Sequence, residues 1–347
     1  MKLKLLSMSC TLALAGWTPA SQAAVTFNTF VDSSDLSSTL GNNATIGFAY
    51  AGDKFVGSVY YGSNNNQLYS TDLTGGNVAK FGSAISGFSG EIYVTSSLGI
   101  GGYGPRDVFA GSEAAGRVVR VAHDGSTQGD FVTGLTGGVR SMAFDPYGMY
   151  GNQLIVATNA GNIYTVNNTG SATLLANVGE DAEGLSFAPQ QFGTYAKGTL
   201  FVASEGSGTL RAIAPGGGIT NAVTGIYGAE MVSFVPLNLG SSGNPVEGFY
   251  SANYAQNVIK ASASDFTPYL GDAIVTSETY HTVHRVHWSG TSFDVSTIGQ
   301  FPAQPEDGIF VTADVIKPSV PEPETWAMVV GGLMVLPLFR RLRSRQG

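Results

Sequence analysis

A phrase of five residues, polar at the first place and phenylalanine at the fifth, recurs through the chain and limits what it can fold into. It reads Arg140-Ser-Met-Ala-Phe144, Glu183-Gly-Leu-Ser-Phe187, Glu230-Met-Val-Ser-Phe234 and Glu306-Asp-Gly-Ile-Phe310. The first three phenylalanines are 43 and 47 residues apart. After each of those three comes a second apolar run: Gln153-Leu-Ile-Val-Ala-Thr158, Thr199-Leu-Phe-Val-Ala-Ser204 and Gly248-Phe-Tyr-Ser-Ala252. A third follows at Asn162–Val166, Thr209–Ile213 and Asn257–Ala261, and a weaker fourth at Ala172–Ala176 and Ile219–Val223. Four short strands in roughly 45 residues, punctuated by Gly and Asn turns, is the period of a propeller blade. One such blade cannot cover both of its faces, so blades must pack around an axis.

The expected fold is therefore all-β, a six-bladed β-propeller, with five and seven as the neighbouring counts. Lys54–Tyr60 with Gln67–Ser70, and Asp107–Ala110 with Arg117–Val121, read as two earlier blades. A sixth is expected from Asp272 through His284-Arg-Val-His-Trp288 to Ile298. Glu306 to Val315 then reads as a closing strand that pairs with the N-terminal blade and removes the open edge. The rhythm over 183–213 resembles NHL-repeat and gluconolactonase-like six-bladed propellers.

The two ends carry addresses. Lys2 and Lys4 precede the apolar stretch Leu5–Trp17, and small residues at Ser21 and Ala23 make residues 1–23 a secretory signal peptide cleaved after Ala23. Cleavage would remove Cys10, the one cysteine, and with it all thiol chemistry. Residues 319–347 contain Pro321-Glu322-Pro323, a run of 14 uncharged residues from Trp326 to Phe339, and Arg340, Arg341, Arg343 and Arg345. As a helix that run spans only ~21 Å, so it would need its flanks to cross a membrane. Trp326 suits the outer interface and the arginines the cytoplasmic side. This tail resembles the PEP-CTERM sorting domain. That likeness implies export through the Sec translocon, a precursor tethered at the inner membrane, and cleavage by an exosortase. It also implies a destination in the cell envelope or the extracellular exopolysaccharide matrix of a biofilm. Residues 24–318 remain as the propeller domain.

Setting the two ends aside leaves 11 basic against 23 acidic residues, a net −12. Such a core would repel phosphates, which argues against nucleic acid as a partner. No Gly-x-Ser-x-Gly elbow occurs. Gly99-Ile-Gly-Gly-Tyr-Gly104 fits the letter of a dinucleotide fingerprint, but Pro105 and another strand follow instead of a helix. His281, His284 and His287 are spaced by three, which puts His284 on the opposite face of a regular strand from the other two.

The sharpest candidates are Glu183, Glu230 and Glu306, which equivalent first strands would bring to one mouth of the axial channel, with Arg140 at the same blade position. The likeness to lactonase-type propellers implies that carboxylates there hold Ca²⁺ or another divalent cation. The other blades lack the Asn-Asp set of that family. Two functions are expected on this scaffold: a non-catalytic binding protein of the envelope, and an exported metal-dependent hydrolase of the lactonase type. The fold alone cannot choose between them.

Overall fold

The computed structural model describes residues 24–63 and 65–316. The apolar runs form short strands, and these assemble into six four-stranded antiparallel sheets. The first strand of each sheet faces the axis, and each contacts the first strand of the next around a complete ring.

Blade 1 comprises Thr45–Tyr50, Phe55–Val59, Asn65–Thr71 and Ala79–Ser86. Blade 2 comprises Ile92–Ser96, Val108–Ser112, Ala115–Val121 and Gln128–Thr133. Blade 3 comprises Val139–Phe144, Leu154–Thr158, Asn162–Val166 and Ala172–Asn177. Blade 4 comprises Leu185–Phe187, Leu200–Ser204, Thr209–Ile213 and Ile219–Val223. The fold is the six-bladed propeller expected from the repeat.

The last two blades exchange strands relative to that expectation. Ala229–Phe234 pairs not with the adjacent Gly248–Asn253 but with Ala273–Ser277, followed by Thr282–Trp288 and Phe293–Gln300, and these make blade 5. Blade 6 places Pro305–Val311 on the axis, then Gly248–Asn253, Asn257–Ser262 and, outermost, Asn28–Val31. The expected closing strand thus pairs with the displaced hairpin, and both ends of the domain close the ring within one sheet. Aromatic packing accounts for the exchange. Phe249 lies 4.8 Å from Phe310, and Tyr250 lies 4.7 Å from Phe30 and 4.6 Å from Phe55 of blade 1. Tyr250 fills the junction between the sixth blade and the first, and Phe249 with Phe310 fills the junction between the fifth and the sixth, so the hairpin serves both only from blade 6.

The repeat phenylalanines are wedges between blades. Phe144 meets Phe109 of blade 2 at 5.3 Å, and Phe234 meets Phe201 of blade 4 at 5.1 Å, both edge to face. All four rings are buried, each contributing about 1.5–3 kcal/mol by leaving water. Second strands, covered on both faces, are buried throughout. They accordingly read as continuous apolar runs rather than alternating ones.

Ala23, Pro321, Glu322, Pro323, Trp326 and the four tail arginines lie outside the described residues. Among the described residues no helix is long and apolar enough to cross a membrane.

Candidate cation site at the channel mouth

Strand alternation alone would not point these glutamates down the axis; β-bulges do. In blade 5, Ala229 pairs with Ser277 and Val232 with Val275, so Glu230 and Met231 together oppose Thr276. In blade 6, Glu306 and Asp307 oppose Ala252. In blade 3, Arg140 is the extra residue between the Val139 and Ser141 pairs. In blade 4 the Glu183 N–H donates to the Ala203 carbonyl while the Ala203 N–H donates to that of Gly184. A bulge bends its strand and re-aims one side chain, and in these four blades it turns Arg140, Glu183, Glu230 and Glu306 toward the mouth. Gly184 permits the approach of neighbouring first strands, because a Cβ there would lie inside contact distance of the Val232 nitrogen.

The channel encloses about 260 Å³ and changes character along its length. Glu183, Glu230, Glu306 and Tyr93 line one end, and Leu98, Phe144, Phe234, Pro236 and Phe310 line much of the remainder. Glu183, Glu230 and Glu306 are 2%, 6% and 1% exposed. The three predicted carboxylates line one channel, and Arg140 pairs with Glu183, but the carboxyls within ligand distance of one another are Glu183, Glu230 and Glu205, with Glu306 outside that set.

Arg140 is the hub of one side. Its Nη2 lies 2.6 Å from Glu183 Oε1, Nε 3.1 Å from Asp181 Oδ2, and Nη1 3.1 Å from Glu113 Oε2 and against Glu91. Burial works against its charge, but Glu183, Asp181 and Glu230 outweigh that and raise its pKa. Tyr93 completes this side by donating to Glu91 Oε2 at 2.8 Å.

Among the described residues, the other side has no ion-paired cationic side chain. Ligand atoms of Glu183, Glu205 and Glu230 lie within 4.8 Å of one another. Glu183 Oε2 and Asp181 Oδ1 are buried without a hydrogen-bond partner. Gln304 Nε2 donates to Glu306 Oε1 at 2.8 Å and also to Glu278. Desolvation raises Glu183, Glu230 and Glu306 well above the usual carboxyl range, and mutual repulsion adds to it. Glu278 is pushed up to about 7 by burial and by the neighbouring Glu205 carboxyl. One tier deeper, burial lifts Asp307 to about 7 although it accepts the Phe48 N–H at 3.3 Å.

The sequence reading missed Glu91, Glu113, Asp181, Glu205 and Glu278. A signal for three of them exists: Ser112-Glu113, Ser204-Glu205 and Ser277-Glu278 each end or follow the second strand of a blade. The histidines do not converge. His287 Nδ1 meets Asp272 at 2.9 Å, His284 Nε2 meets Thr282 at 2.8 Å, and His281 sits in a turn with φ 55°. Gly99–Gly104 lies in a loop, as read.

No family model matches the chain, and no curated protein matches it in sequence. Among solved structures, a chain in the crystal structure of a nidogen/laminin complex is similar over 76% of this chain and 83% of its own, with 13% identity and TM-score 0.51. A catalytically inactive virginiamycin B lyase from Staphylococcus aureus with quinupristin covers 80% and 75% at 12% identity and TM-score 0.49. A gluconolactonase-family structure covers 83% and 95% at 12% identity and TM-score 0.46. The first of these supports the propeller fold, and at this identity it speaks to fold alone.

Proposed function

We propose that this chain is an exported binding propeller of the cell envelope whose channel mouth holds a divalent cation, rather than a catalyst. The observation that carries the reading is the buried, unpartnered Glu183 Oε2 among the Glu183, Glu205 and Glu230 carboxyls, a site short of positive charge. Hard cations of the Ca²⁺ type take six to eight oxygens, several from carboxylates. Glu183, Glu205 and Glu230 would hold the ion, and Glu306 and Glu278 would add to the field that attracts it. The sequence of the two ends supports the rest of the reading: passage through the Sec translocon, processing by an exosortase, and association with exopolysaccharide.

Melting curves with calcium and with chelator test the cation. Binding to the folded state alone stabilises by about 2.7 kcal/mol at a ligand concentration near 100 times Kd. The expected result is a calcium-dependent rise in Tm that Glu230→Gln abolishes. A wild-type curve indifferent to both calcium and chelator would refute the site.

The hydrolase alternative has one foothold, Glu278, whose carboxyl titrates at about 7 beside the same cluster and suits a general base. Turnover of a lactone that is lost in Glu278→Gln would favour it.

A further inference from the structure

The two most exposed of the large hydrophobic side chains among the described residues sit on two hydrogen-bonded loops next to Glu278 of this mouth. Tyr227 is 66% and Tyr280 59% exposed. Tyr227 lies in the loop entering blade 5, and Tyr280 in the loop between its second and third strands. One buried hydroxyl pins both: Ser277 Oγ donates to the Tyr227 carbonyl at 2.7 Å and accepts the Tyr280 N–H at 3.1 Å. The Glu278 N–H donates to the Gly228 carbonyl at 2.7 Å, and Gln300 Nε2 donates to the Tyr280 carbonyl at 2.9 Å. Neither ring packs against another ring among the described residues. The molecule thus holds two aromatic side chains in water, on loops fixed from beneath. Exposing them costs hydrophobic free energy, and fixing their backbone removes the freedom to bury them elsewhere.

We propose that Tyr227 and Tyr280 are a carbohydrate platform, stacking on the apolar faces of sugar rings while mouth-side carboxyl and amide groups receive the hydroxyls. The proposal rests on the binding role above and names its ligand class. The surroundings favour sugar over a peptide. A protein hot spot sits in a dry, well-packed pocket, whereas the loop that carries Tyr280 is polar: Glu278 and Thr279 precede it, Gln300 Nε2 bonds its carbonyl, and Gln304 bonds Glu278. Carboxylates form their stronger hydrogen bonds with donors such as hydroxyls, and Gln304 adds an amide beside them. A tyrosine ring offers a flat apolar face with a polar edge, and few rotamers to lose on binding.

Two probes, maltoheptaose as a neutral glycan and a galacturonic acid hexamer as an anionic one, would be titrated into the purified protein with calcium and with EDTA. At least one should bind, and Tyr227→Ala or Tyr280→Ala should each weaken it by roughly tenfold. Tyr227→Phe should retain binding. Tyr147→Ala, which removes a 40% exposed ring beyond the far end of its first strand, should leave binding unchanged. Binding that needs calcium assigns the sugar to the cation as well as the rings, and binding that survives EDTA assigns it to the rings alone. Failure of both probes, or binding indifferent to both alanine variants, would overturn the platform. So would tyrosine-dependent binding of polylysine with no sugar bound. Calcium binding measured in the same samples keeps the two proposals apart. An ion bound without sugar overturns only the platform, and tyrosine-dependent sugar binding without an ion overturns only the cation site.

Discussion

The two sides of the channel mouth are built from the same repeated position and solve the same electrostatic problem differently. On the blade 2–3 side, Arg140 sits among Glu91, Glu113, Asp181 and one oxygen of Glu183, all within ion-pair distance. On the blade 4–6 side, among the described residues, Glu205, Glu230, Glu278 and Glu306 face one another, Glu183 and Gln304, with Arg140 acting on them from the far side. The first side has one counter-charge that reaches all four of its carboxylates, and it reads as structure. The second can lower its energy only by holding protons or by taking a cation. Buried charge left unpaired is expensive, which makes the contrast informative.

Removing the hub should erase the difference between the sides. Arg140→Met leaves buried Glu183 and half-buried Glu91, Glu113 and Asp181 without a counter-charge, and a loss of about 3–5 kcal/mol in denaturant unfolding is expected. On the other side, Glu230→Gln should do the reverse. It removes a repelling charge, so stability without metal should hold or rise. Calcium affinity should fall more than about 100-fold, beyond the cost of outer-shell changes.

The pH dependence has a defined sign. Burial pushes Glu278 and Asp307 up to about 7 in the folded protein, and it raises Glu183, Glu230 and Glu306 well above the usual carboxyl range. Unfolded, such groups titrate near 4. Between those values the folded state binds more protons, so metal-free stability should fall as pH rises from about 4.5 through 7 and beyond. The slope is about 1.4 kcal/mol per pH unit for each extra proton held. Calcium should flatten it by replacing those protons. A metal-free Tm that rises over this window would contradict the burial described here.

Smaller effects sharpen the comparison further. Gly184→Ala must push apart the first strands of blades 4 and 5 that bring Glu183 to Glu230, and a cost of about 1–3 kcal/mol with weakened calcium binding is expected. Asp130→Ala removes an exposed pair with Arg117 on an outer strand, and should change stability by less than about 0.5 kcal/mol with calcium affinity unaltered.

Most of this architecture is legible in the sequence where the chain is locally repetitive. Blades 3 and 4 follow directly from the 43-residue spacing of Phe144 and Phe187. Blades 5 and 6 depart from the repeat because Gly248–Ser262 follows Phe234 with the right rhythm, while the true partner Ala273–Ser277 comes later. Nothing local distinguishes the two hairpins. The choice is made across the ring, by Phe249 and Tyr250 meeting rings from residues near both ends of the domain. The same division holds at the site. Glu183, Glu230 and Glu306 were found because they share a repeat position. Glu205 and Glu278 were not, since they sit in loops whose inward aim depends on the neighbouring blades.

Calorimetric titration of the metal-free protein with calcium at pH 6.5, in two buffers of different ionisation enthalpy, tests the asymmetry of the mouth most directly. One ion per chain is expected, with a buffer-dependent heat that reports protons leaving the carboxyl cluster. Absence of binding, or binding without proton release, would contradict the picture of a protonated, cation-seeking half.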